Sequence, residues 1–419
     1  MFGIFGSFVG AVVLGVPVAF ALILAGTAYL VATDQHFGTL SSYLYAALNN
    51  SGLLSIPFFI LAAEILNRCG ATRRLVMFVD AWLGHNRGGL PVVAVVTTTF
   101  FSAICGSSAA TAGAVGSVLI PEMINRGYDK KMSIGLIATA GGLGILIPPS
   151  VPVIVYGMVT ETSIADLFQA TLVPGLLLAL LLGVAAYVLG ARSGVPSGEP
   201  KPMAERWAAT RGAVSILLLP GIIFGGIYSG VFTATESAAV ACIYAIGLAT
   251  VGYGTKLRDL PRMLSLSAAT SAMIMFIIAA ANLFSYALTS ERLPHEIFEW
   301  LMSFEFSRTE LLAVLMIFFI FCGMFFEVIS IILITMPILM PVLQALDISL
   351  LFFCVLLVVN MELAVITPPI GLNLFVISAI SRVPVVQVFK GTAPFAAIIV
   401  LLLLALVFVP GADRIAMTW

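Results

Sequence analysis

The chain has 419 residues, of which 61% are hydrophobic and 9% charged, with a formal net charge of −1. A soluble chain carries about 25% charged residues. A mean hydropathy of +1.14 therefore excludes an ordinary globular domain and indicates an all-α polytopic membrane protein, with membrane lipid and not nucleic acid as its surroundings.

In chain order, apolar runs fall near 3–32, 50–67, 89–125, 131–159, 170–191, 213–229, 235–253, 263–290, 309–345, 349–381 and 391–410. No basic n-region or A-x-A cleavage site accompanies the first run, so it is expected as a retained helix. One simple span takes about 20 residues. The runs 89–125 and 309–345 are about twice that, and each is interrupted by small residues around a Cys-Gly pair: "SAICGSSAAT" at 102–111 and "FIFCGMFFE" at 319–327. They read as re-entrant hairpins. The runs 131–159 and 349–381 are broken by Pro148-Pro149 and Pro368-Pro369, because proline removes a backbone donor and clashes with the preceding turn. Residues 192–211 read as a linker with room for a surface helix. The five cysteines have no metal-ligand spacing and read as small buried residues. His36, His85 and His295 are scattered, which argues against haem or a metal cluster.

Charge orients the spans. If both long runs leave on the side they enter, Arg68, Arg73, Arg74, Arg87, Arg126, Lys130, Lys131, Arg192, Lys201, Arg206, Arg211, Lys256, Arg258, Arg262, Arg382 and Lys390 share one face. That is 16 of the 19 Lys and Arg, and the face is expected to be cytoplasmic. Arg292, Arg308 and Arg414 lie opposite, among Asp34, Glu161, Asp166, Glu291, Glu296, Glu299, Glu305 and Glu310.

The halves repeat. Pro121 matches Pro341, Pro148-Pro149 matches Pro368-Pro369, and Pro174 matches Pro394, all at an offset of 220. Five crossings separate the hairpins, so the second copy is inverted. Inverted repeats with interrupted helices mark a secondary transporter and its midplane site, where unwound carbonyls coordinate cations and half-helix N-termini face anions.

The first break joins Gly106, Ser107, Ser108 and Thr111 at a hairpin tip to Gly144, Pro148, Pro149 and Ser150. Hydroxyl and carbonyl oxygens suit Na⁺; tight helix packing is the other reading of such small residues. The second break joins Cys322, Gly323 and Met324 to Thr367, Pro368, Gly371 and Asn373. Asn373 is either an ion ligand or an interhelical hydrogen bonder. Glu236, Glu327 and Glu362 fall in apolar runs, where acids are functional suspects. Glu327 and Glu362 flank the second break as possible ion or proton coupling groups, whereas Glu236 reads rather as interfacial or hydrogen-bonded within the fold. Glu64 and Arg68 read as a helix-end ion pair. No GxxxxGK[ST] loop, His pair or nucleophile–base constellation is present, so neither direct ATP drive nor membrane catalysis is expected.

At these residues the chain resembles a family. "GSSAATAGAVGSVLIPEMINRGYDKKMSIGLIATAGGLGILIPPSVPVIVYGMVTETSIADLF" (106–168), "GIYSGVFTATESAAVACIYA" (226–245) and "MELAVITPPIGLNLFVISAIS" (361–381) are similar to the large membrane subunit of tripartite ATP-independent periplasmic (TRAP) transporters. Ala234 departs from the family's TPTE proline. The resemblance implies Na⁺-coupled uptake of an organic acid across the bacterial inner membrane, with Na⁺ as coupling ion and no cofactor. It implies two partners: a small four-helix membrane subunit, for which the chain has no room before its first family segment, and a periplasmic substrate-binding protein. It further implies an elevator. Scaffold helices would occupy 1–88 and 213–308. The transport elements would occupy 89–191 (hairpin 89–125, broken helix 131–159) and 309–419 (hairpin 309–345, broken helix 349–381), with a cytoplasmic linker at 192–212. A standalone Na⁺ or H⁺ coupled divalent-anion type carrier, which needs no binding protein, is the alternative.

The charge segregation has a direct check. Single cysteines in 192–211 and 254–262 should resist an impermeant thiol reagent in intact cells, and those in 291–308 should react. Labelling of 192–211 from outside would overturn both the orientation and the inversion.

Overall fold

The computed structural model describes residues 2–34 and 37–413; His36 and Arg414 lie outside the described residues. The first half comprises α1 (Phe2–Val13), α2 (Val18–Ala32), α3 (Phe37–Leu48), α4 (Ser55–Arg68), α5 (Ala71–Leu83), α6 (Gly89–Cys105), α7 (Ser108–Asn125), α8 (Lys130–Ala140), α9 (Leu143–Leu146), α10 (Val151–Val159) and α11 (Ile164–Arg192). The second comprises α12 (Met203–Tyr228), α13 (Ala234–Gly247), α14 (Leu260–Ser290), α15 (Leu293–Met302), α16 (Arg308–Gly323), α17 (Val328–Ala345), α18 (Leu350–Ala364), α19 (Leu372–Ser381) and α20 (Val385–Phe408). Among the described residues eight helical segments are long and apolar enough to cross a membrane, and five of them lie between the two hairpins, an odd number.

The repeat extends to individual helix ends. α7 and α17 begin and end 220 residues apart. Their N-caps Ser107 and Glu327 keep that offset, as do Asp129 and Ser349 ahead of α8 and α18. The copies interlock: α4 packs on α13 and α2 on α14, α8 on α20 and α11 on α18, α7 on α19 and α10 on α17. Each of these pairs joins one repeat to the other, alongside packing within each repeat such as α6 on α11 and α16 on α18.

Small residues permit the closest of these contacts. Gly135 of α8 faces Gly391 of α20 so closely that a Cβ at Gly135 would collide with the Gly391 backbone. Glycine at such a crossing lets two backbones meet in a bilayer, where packing rather than hydrophobicity drives helix association.

At one end of the molecule Asp80 of α5 accepts from Lys201 Nζ at 2.7 Å and lies 3.5 Å from Arg126 at the end of the first hairpin. Trp82 donates from Nε1 to Thr210 Oγ1 at 3.0 Å, and the Arg206 guanidinium lies 5.6 Å from the Trp82 ring centroid. The connecting segment is thereby pinned beneath α5. Arg308 pairs with Asp413 at 3.2 Å, which joins the start of α16 to the C-terminal end of the described chain.

Several sequence expectations are corrected. The run 3–32 is two helices, broken at 14–17 where Gly15 has φ +86 and Pro17 precedes α2. The linker is irregular only over 194–202; α12 starts at Met203 and runs unbroken into the membrane. Glu236, by contrast, is hydrogen-bonded within the fold as expected: it closes a capping box with Thr233 at the exposed start of α13, satisfying N–H groups that the first turn leaves open. The short helices α3, α5 and α15 have no counterpart among the apolar runs. Ala234 does begin a helix, Glu64 and Arg68 do pair, and the five cysteines are free.

Gly135→Val should separate α8 from α20 and lower the stability of the purified protein by about 1–3 kcal/mol. Gly183→Val, with nothing within 4 Å of its Cβ position, should stay within about 0.5 kcal/mol. Melting temperatures in one detergent check both; equal effects would mean that the Gly135–Gly391 contact does not hold the repeats together.

Candidate functional site

The two hairpin tips and both breaks converge on one cavity of about 730 Å³, closed on its other side by α2, α4 and α14. Each tip plugs one break. In the first, the Val151 N–H donates to Gly106 O at 3.3 Å, and the Ser150 hydroxyl donates to Ile145 O at 2.5 Å. Gly106 has φ +65, and its Cβ position lies 2.6 Å from Pro149 O. A Cβ at Gly144 would meet Ser107 O at 2.6 Å and Thr111 Oγ1 at 2.8 Å. Only glycine fits at either position. Gly106, Ser107, Thr111, Gly144, Pro149 and Ser150 are thus brought together, with Pro148 buried in the same segment. Ser108 is 4% exposed at the cavity wall. The Ser107 hydroxyl makes no capping bond, and Thr111 Oγ1 is buried without a partner. Uncommitted oxygens converging on a glycine are the kind of donor set that a hard cation takes.

In the second break the Ile370 N–H donates to Met324 O at 3.1 Å, and the Asn373 N–H to Val365 O at 3.1 Å. Gly323 abuts Ala364, leaving no room for a side chain. The Thr367 hydroxyl donates to Leu363 O at 2.6 Å. Gly371 has φ +43, and a Cβ there would lie 2.8 Å from Thr367 O, crowding its own break and not the hairpin tip. Cys322, Met324, Thr367 and Pro368 are half-buried, whereas the first break is wholly buried. Pro148-Pro149 and Pro368-Pro369 are both cis.

Asn373 does not turn its amide nitrogen to the second break. Nδ2 donates to Ala138 O of α8 at 3.0 Å, an interhelical bond between repeats, and Oδ1 is buried without a partner. The two acids separate. Glu327 caps α17, accepting from the Ile329 N–H at 3.1 Å, and faces the cavity. Glu362 is 1% exposed, away from the cavity, with no partner for either oxygen. Asn360 escaped the sequence reading, although an amide within "VVNME" was a usable signal; its Nδ2 donates to Met316 O at 2.8 Å. Glu64 also reaches the cavity wall, beside Arg68. Among the described residues no group of three or more His, Cys, Asp or Glu is placed to hold a metal ion.

Comparison with known proteins agrees with this architecture. Residues 5–412 match the family model of the tripartite ATP-independent periplasmic transporter, DctM component. The chain is 40% identical over 382 residues to the C4-dicarboxylate TRAP transporter large permease protein DctM of Pseudomonas aeruginosa, covering 91% of this chain and 90% of that one. It is 36% identical over 423 residues to the DctM of Rhodobacter capsulatus, covering 97% and 96%. Among solved structures it resembles the YdaH transporter of Alcanivorax borkumensis, with a TM-score of 0.65, 16% identity and coverage of 91% and 88%, a likeness of fold alone. The chain belongs to the family of TRAP transporter large permeases and is a multi-pass protein of the inner membrane.

Proposed function

We propose that this chain is the large subunit of a Na⁺-coupled importer of an organic acid, working as an elevator. The observation that carries the reading is the pair of helix breaks, each plugged by a hairpin tip at equivalent places in inverted repeats, around one cavity. Oxygen-rich breaks of this kind hold coupling ions in secondary transporters. One Na⁺ position comprises Gly106, Ser107, Ser108, Thr111 and Gly144 with the Pro148–Ser150 break; the other comprises Cys322, Gly323, Met324, Thr367, Pro368 and Gly371. Substrate occupies the cavity between them, beside Glu327. The carboxylate class follows the names of the two relatives, whose C4-dicarboxylates suggest a substrate of that size.

The partners are a small four-helix membrane subunit and a periplasmic substrate-binding protein. The moving body comprises 89–191 and 309–419, and the static one 1–88 and 213–308. This division is supported by the cavity, which has hairpin tips on one wall and α2, α4 and α14 on the other.

Uptake by the reconstituted complex should require a Na⁺ gradient and the binding protein, and no ATP. Undiminished uptake with K⁺ in place of Na⁺, abolished by an uncoupler, would transfer the coupling to protons. Ser108→Ala and Thr367→Ala should each remove one neutral oxygen, worth about 1–3 kcal/mol. The Na⁺ concentration for half-maximal uptake should then rise roughly tenfold or more. Unchanged Na⁺ dependence in folded variants of both sites would make the breaks packing devices only.

A further inference from the structure

Glu362 stands outside both ion positions described above. It lies on α18, is 1% exposed, and neither of its oxygens has a hydrogen-bond partner. Its Oε2 occupies the place where a Cβ at Gly142 would sit. Gly142 lies in the turn between α8 and α9, and the repeat offset of 220 makes it the counterpart of Glu362 itself. The two equivalent positions therefore touch where the repeats meet, and one is a hydrogen atom so that the other can be a carboxylate.

A second orphan belongs to a side chain that reaches the same end of α8. Asn373 is fully buried, and its Nδ2 is spent on Ala138 O, one helical turn before Gly142. Its Oδ1 has no partner. Its backbone N–H bonds Val365 O, one turn beyond Glu362. Asn373 and Glu362 thus meet the end of α8 and the turn after it within one helical turn of each other, and three of their oxygens have no donor. A buried unpaired carboxylate is costly unless a partner neutralises it. A proton on Glu362 would serve at most one of the remaining acceptors. A monovalent cation neutralises the single charge and takes all three oxygens; a divalent ion would leave a net positive charge buried.

We propose that Glu362 and Asn373 Oδ1 form a further Na⁺ position at the junction of the repeats, distinct from the two helix breaks. It rests on the Na⁺-coupled reading above but adds an ion to it. Because it lies where α18 meets the turn between α8 and α9, its occupancy ties the two broken helices together.

The test is equilibrium binding of ²²Na⁺ to the purified full chain. Glu362→Gln is nearly isosteric and should bind one ion fewer than wild type at saturation. Gly142→Ala, whose Cβ takes the place of Oε2, should lose the same ion. Ser108→Ala should bind more weakly yet reach the wild-type count. A count unchanged in both Glu362→Gln and Gly142→Ala overturns this position and leaves the break sites standing. A wild type that binds no Na⁺ overturns both proposals. Should neither variant fold, the wild-type count decides: one ion more than the two breaks hold supports the position, and no excess rejects it.

Discussion

The fold depends on one constraint: in hydrocarbon, every backbone N–H and C=O needs a partner inside the protein. Unwinding two helices at membrane depth exposes such groups, at several kcal/mol for each one left open. The chain meets this by bringing a hairpin to each break. Gly106 O takes the Val151 N–H in the first, and Met324 O takes the Ile370 N–H in the second. Ser150 supplies Ile145 O with a hydroxyl, and Asn373 supplies Ala138 O with an amide. Each hairpin tip is thus the missing partner of its break, and the cavity opens where the two tips stop.

Interlocking makes the repeats interdependent. Because α8 packs on α20 and α18 on α11, a displacement of one broken helix is transmitted to helices of the other copy. The Gly135–Gly391 contact brings the backbones within reach of each other and leaves little freedom at that crossing. The same packing carries Asn373 from the second break to α8 of the first. A side chain that belongs to one half by sequence serves the other half by position.

The symmetry is imperfect in ways that bear on chemistry. The first break is wholly buried, and the second is partly open to the cavity. Hairpin one begins its second arm with Ser107, hairpin two with Glu327, so of the two tips only the second brings a carboxylate to the cavity. At the junction of the repeats a glycine faces a glutamate. In the last two cases one repeat supplies an acid where its counterpart supplies a serine hydroxyl or a bare hydrogen. An inverted repeat so modified keeps its mechanical equivalence while binding charge asymmetrically.

Hydropathy and proline placement are one-dimensional signals, so the sequence alone determined the membrane class, the hairpins, the broken helices and the period of 220. The segments that meet at each break were legible for the same reason: small residues and prolines recur at matched positions. Amphipathic α5 was missed because Arg73 and Arg74 on its exposed face dilute the apolar signal of Leu75, Val76 and Val79. The start of α12 was misplaced because its polar first turns look like linker by composition. Asn373 kept two readings in sequence, and only packing revealed its interhelical bond, since its partner Ala138 lies in the other repeat. Glu236 and Glu362 both fall in apolar runs, and the sequence set Glu236 apart only as the more interfacial or hydrogen-bonded of the two. The tertiary structure made one an exposed helix cap and the other a buried carboxylate on Gly142, because burial depends on what packs opposite and not on the hydropathy of neighbours in the chain.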